Sequence, residues 1–303
     1  MNQPSMETRT SPSPQHRLKE EWLKAELTFA CPQWHTIWEW FEKEVPPDDW
    51  EPVVLALAED WAQRVAKQMG ADYVCEQSPH FLLVSKAGQA KCQQVFDFLE
   101  SCWVEVLTDM AWLQEEDYMG KCPVFIFADP DQFCQYLADY DRKDPAYRNA
   151  WGVYINDGYG HIAVNSDDLK DFETVLIVQL SHVIIAPMQL PIWLDEGMTQ
   201  EVQRFLTKSK APGSDKTELA AFWTNEKLPR FWNGEAFRSG DAGENAKAIA
   251  LALEIIHYLR SGKFTDETLT EFIRNASFDD KGEKAANKYL QCELDDLVRN
   301  ALR

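Results

Sequence analysis

From Arg17 to Met69 apolar residues recur with a helical period, broken at Val45-Pro46-Pro47 where proline ends a helix. After Gly70 the texture changes. Tyr73–Cys75 and His80–Ser85 predict short strands, and Gln89–Leu113 a long amphipathic helix with Val95, Phe98, Leu99, Cys102, Val106 and Leu113 on one side. Val124–Phe127 predicts a buried strand, and Asp129-Pro130 opens the next helix with an acid at the N-cap and proline in the first turn. Trp151–Ile155 and His161–Asn165 flank the turn-rich Asn156-Asp157-Gly158-Tyr159-Gly160 and predict a hairpin. From Asp168 the pattern is helical almost to the end: an apolar helix to Ala186, a second from Trp193 to Lys208, and several amphipathic helices between Lys216 and Leu302.

These elements predict an α+β fold, a small mixed sheet followed by helices, without internal repeats. The expected organisation is a disordered Ser/Pro/Thr-rich tail at 1–17, a Trp-rich helical segment at 18–70, an α+β domain at 71–210 and a helical C-terminal part at 211–303. Six of the twelve tryptophans fall between Trp22 and Trp61, too many for a solvated linker, so that segment caps the core or meets a partner.

Composition narrows the function. Fifty acidic against thirty basic side chains give a net charge of −20, a field that repels a nucleic-acid backbone. Seven cysteines form no C-x-x-C pair, which predicts reduced thiols, and the N-terminus has no apolar core of a secretion signal; the expected location is cytoplasmic. Thr174–Met188 is apolar but too short to span a bilayer, and Gln179, Ser181, His182 and Pro187 interrupt it, so no membrane partner is expected.

The chemistry-bearing stretch is Thr174–Gln203, TVLIVQLSHVIIAPMQLPIWLDEGMTQEVQ. A zincin sets two histidines four apart on one helical turn to reach one metal, with a glutamate beside the first as general base. Val178, Gln179 and His182 stand at those places. Leu190-Pro191-Ile192-Trp193-Leu194-Asp195-Glu196-Gly197 resembles the LPxWLxEG words of bacterial gluzincins, the peptidase MA-like metallopeptidases, and the order of elements from Tyr73 to Leu302 is similar to theirs. The resemblance implies a zincin-like fold over the α+β domain, whose second helix supplies a third metal ligand. It puts His182 and Glu196 at the second and third ligand positions, and Val178 at the lost first one. It makes the hairpin an edge strand along a substrate cleft, with His161, Asn165 and Gln200 as cleft residues; Gln200 stands where a supporting carboxylate is common.

The departures set the expected function. Valine cannot bind metal, and the Gln179 amide cannot take a proton from water. A complete structural zinc site is worth on the order of 10 to 16 kcal/mol, much of it lost with one ligand, and loss of the base alone costs roughly 10² to 10⁴ in rate. The expectation is a non-catalytic metallopeptidase homologue without cofactor, binding a peptide or protein or serving a structural role. The alternative is a zinc-dependent peptidase with an altered ligand set, recruiting His161 or a cysteine. A lone histidine on an apolar helix is more commonly a hydrogen-bonded core residue, and His182 with Glu196 could persist as a hydrogen-bonded pair that needs no metal. Phe222-Trp223 and Phe231-Trp232 either line the cleft or pin the loop between them.

Overall fold

The double proline after Val45 divides two helices, α1 (Trp34–Glu44) and α2 (Trp50–Met69). The computed structural model describes residues 16–109, 119–140, 150–166, 172–208 and 215–303. There follow β1 (Val74–Gln77), β2 (Phe81–Ser85), α3 (Gln89–Asp109), β3 (Cys122–Phe127), α4 (Pro130–Asp139), β4 (Gly152–Asn156) and β5 (Gly160–Asn165). The remaining helices are α5 (Phe172–Ile185), α6 (Ile192–Thr207), α7 (Lys216–Phe222), α8 (Leu228–Trp232), α9 (Ala242–Leu259), α10 (Asp266–Asn275), α11 (Glu283–Ala285) and α12 (Leu294–Ala301). The expected tail as far as residue 15, the end of the long helix at Leu113 and the start of the helical region at Asp168 lie outside the described residues.

The chain sorts into two units, one from Met1–Asp97 and Tyr118–Leu169, the other from Phe98–Asp117 and Lys170–Arg303. The Trp-rich segment therefore groups with the sheet, and the motif helices group with the C-terminal helices.

In the first unit the sheet order is β1-β2-β3-β5-β4. The inner pairs β2–β3 and β3–β5 are parallel, and the outer pairs β1–β2 and β5–β4 are antiparallel. Side chains alternate between faces along each strand. Leu82, Val84, Phe125, Phe127, Ala163 and Ile155 thus share one face and join the core formed with α2 and α4. Asp129 caps α4 by accepting from the Asp131 N–H at 2.9 Å.

The helical period read from Arg17 does not produce a helix before Trp34; Glu20–Trp22 forms one turn and the rest of 16–33 is irregular. Long-range bonds override the local pattern. The Leu18, Phe29 and Ala30 N–H groups donate to Asp60, Asp139 and Gln68, and Trp61 Nε1 donates to the Ala30 carbonyl at 2.9 Å. Trp22, Trp34 and Trp61 are buried in this core; each indole removes roughly 200 Å² from water, worth about 5 kcal/mol before ordering costs.

In the second unit α6 packs closely on α9 at Gly197. A Cβ there would lie 2.8 Å from Ile256 Cγ1 and 3.0 Å from the Ala252 carbonyl oxygen. Trp193, Trp223, Phe231 and Trp232 are buried in this unit's core, so the aromatic pairs pin their segment. No helix among the described residues is long and apolar enough to cross a membrane.

Candidate functional site

Helices α5 and α6 are joined by a tight turn. A single turn at Ala186–Met188, Gln189 in the left-handed region and Pro191 at the N-cap reverse the chain, and the Leu194 and Asp195 N–H groups return to the Pro191 carbonyl at 2.9 and 3.0 Å. Trp193 anchors the start of α6: it is fully buried, and its Nε1 donates to the Lys281 carbonyl at 3.0 Å. This fixes the first turns of α6, which carry Asp195 and Glu196, against α5, which carries Val178, Gln179 and His182.

His182 meets α6 at Asp195 and Thr199. Its Nδ1 is 3.8 Å from Asp195 Oδ2 and 3.5 Å from the Thr199 hydroxyl, and Thr199 is completely buried. Asp195 and Thr199 are four apart and share a helical face. A carboxylate beside His182 is therefore that of Asp195, one residue before the expected third-ligand position Glu196.

Burial dominates the electrostatics. It lowers the His182 pKa and raises that of Asp195 to about 6, so both groups shift away from their charged forms and their contact is a close approach rather than a strong ion pair. Burial, with the neighbouring Asp195 charge, lifts Glu196 to about 7. Two adjacent carboxylates thus sit in a poorly solvated place where burial outweighs any neutralising charge. Val178 is half-buried, Gln179 is buried, and Gln200 is half-buried one turn beyond Glu196. A metal needs several donors at one point, and among the described residues no group of three or more His, Cys, Asp or Glu side chains is gathered to hold one.

The other two expected cleft residues, His161 and Asn165, lie on β5 in the first unit. His161 faces the core rather than an open surface. It is 1% exposed, its Nε2 is 2.8 Å from the Tyr136 hydroxyl, its Nδ1 is 3.3 Å from the Tyr159 carbonyl, and Trp61, Phe125 and Tyr140 pack around it. A carbonyl only accepts, so Nδ1 carries the proton and Nε2 accepts from Tyr136. Burial pushes the His161 pKa down to about 3. Asn165 is half-buried at the end of β5, paired with Phe127. Neither nitrogen of His161 is left for a metal.

Sequence reasoning missed Asp195, Thr199 and a buried charge cluster on the same helix. Glu201 accepts two bonds from Arg204, at 2.8 and 2.7 Å, and one from Arg260 at 2.8 Å, with His257 Nε2 at 3.4 Å. Burial alone would raise its pKa, but His257, Arg204 and Arg260 together hold it down to about 2. The three-residue spacings Glu201/Arg204 and His257/Arg260 are visible in the sequence; their meeting across α6 and α9 is not.

No protein-family model matches the chain, and no curated protein matches it.

Proposed function

We propose that this chain is a non-catalytic homologue of the gluzincin-type, peptidase MA-like metallopeptidases, with a zincin-like fold and a cytoplasmic role in binding a peptide or protein. The observation that carries this reading is the pair Val178 and Gln179 at the first-ligand and general-base positions, one helical turn before His182 and opposite the helix bearing Asp195 and Glu196. Hydrocarbon at the first ligand removes a donor, and an amide at the base position cannot activate water. Two neighbouring carboxylates with raised pKa values fit an inherited anionic site that has lost its counter-charge. The −20 charge favours a cationic or neutral partner over nucleic acid.

Metal analysis of protein purified without chelator tests this reading, with casein as a cleavage substrate. The expected result is well under one zinc per chain and no turnover when zinc, cobalt or manganese is supplied. Stoichiometric zinc with chelator-sensitive cleavage would establish the altered-ligand peptidase instead.

A further inference from the structure

Two indoles of the Trp-rich segment pack against each other with an ammonium lying over both. Trp22, in the turn Glu20–Trp22, and Trp40, on α1, have ring centroids 4.9 Å apart with planes inclined at 47°. Lys19 Nζ lies 4.6 Å from the Trp22 centroid and 5.6 Å from that of Trp40. A cation over two ring faces gains from both quadrupoles at once.

The frame of this arrangement is fixed and its occupant is not. The Leu18 N–H donates to Asp60 at 3.1 Å, Arg64 donates to the Leu18 carbonyl at 2.8 Å and to Glu20 at 2.6 Å, and the Trp22 N–H closes the turn on the Lys19 carbonyl at 3.0 Å. These bonds tie the backbone around Lys19 to α2, and Trp22 is only 4% exposed. The Lys19 side chain, by contrast, is half exposed, and its acidic neighbour Glu21, 3.8 Å away, is 73% exposed. A pair that exposed holds its partner weakly.

A primary ammonium also suits this place poorly. It has three N–H donors and is strongly hydrated, and ring faces give those donors no full acceptor in exchange for lost water. A trimethylammonium group has the same charge, no donors to leave unpaired, and methyl groups that pack on indole. We infer that the Trp22–Trp40 pair is a binding site for a trimethylammonium group, with Lys19 as the chain's own displaceable plug. The group belongs either to a free choline-like molecule or to a trimethylated lysine of a partner protein. The −20 net charge, with exposed Glu21 and Glu39 next in sequence to the two indoles, favours a cation in either form. The site lies in the first unit and stands independently of the metallopeptidase reading.

Calorimetric titration of the full chain tests it, with tetramethylammonium chloride against sodium chloride at matched ionic strength, then choline, then a peptide carrying trimethyllysine against its unmodified form. Saturable binding of the trimethylated probes is expected, about tenfold or more tighter than the unmodified counterpart. Lys19→Ala removes the plug and tightens binding about fivefold, while Trp40→Leu abolishes it. Choline bound without the peptide identifies a small-molecule source; the peptide bound more tightly than choline identifies a protein source. If Trp40→Leu fails to fold, the direction of the Lys19→Ala effect decides. The inference is overturned if Lys19→Ala leaves affinity unchanged or weaker, or if neither it nor the parent chain binds tetramethylammonium saturably.

Discussion

The two histidines singled out by the sequence occupy opposite kinds of environment. His161 is sealed in an aromatic core, with each nitrogen matched to a complementary oxygen, from Tyr136 and Tyr159. His182 keeps a quarter of its side chain exposed and faces Asp195 and Thr199 at 3.8 and 3.5 Å, beside a second carboxylate, Glu196. Burial disfavours charge at both, but only the second has carboxylates packed beside it. A satisfied polar group contributes to stability, whereas buried like charges beside each other oppose folding. The difference separates a residue kept for packing from a cluster whose arrangement stability alone does not account for.

The largest effect that sharpens this comparison is expected from His161→Ala. It removes the Tyr136 bond and leaves a cavity among rings, and should lower stability by about 3 to 5 kcal/mol in denaturant unfolding. The neutral imidazole is favoured in the folded chain, so its contribution is full above about pH 6.5 and is lost as pH falls toward 3. A loss below about 1 kcal/mol would break the core assignment.

Next comes Glu201→Gln, which leaves Arg204 and Arg260 without their carboxylate and should cost about 2 to 3 kcal/mol at pH 7. Because this carboxyl is depressed to about 2, its stabilisation is present above about pH 4.5 and disappears as pH falls through 2. The gap between parent and variant should close over that range.

Glu196→Gln should act in the opposite direction. With its pKa raised to about 7, Glu196 favours folding when protonated, and that advantage is lost as pH rises from about 4.5 through 7. The amide should therefore stabilise the chain by about 1 to 2 kcal/mol at pH 8 and by nothing measurable at pH 4. Equal midpoints at both pH values would mean that solvent or an opposite charge already neutralises the site. Smallest of all, His182→Ala should change stability by about 1 kcal/mol or less, since its approaches to Asp195 and Thr199 are long.

Local chemistry made much of the fold legible. The Pro46-Pro47 break, the Asp129-Pro130 helix start and the hairpin around Asn156–Gly160 each rest on rules that act within a few residues, and each is found. The irregular course of 16–33 was not legible, because Asp60, Gln68 and Asp139 capture its N–H groups from far along the chain. The same limit applies at the candidate site. Sequence identified His182 and the Asp195-Glu196 pair's neighbourhood through a resemblance, but which carboxylate faces the imidazole depends on the rotation of α6. Gly197 and Trp193 set that rotation through contacts with α9 and with the loop at Lys281. His161 sits in the pleat facing α2 and α4, and the covering helices, rather than the strand pattern, decide that this face is closed.

Zinc content of the double variant Val178→His with Gln179→Glu, measured beside the parent chain, tests the central claim most directly. Restoring the missing donor and base on α5 opposite Asp195 and Glu196 should convert a chain holding well under one zinc into one holding about one, tightly enough to survive gel filtration. A correctly folded variant that stays metal-free, or a parent chain already carrying stoichiometric zinc, would contradict it.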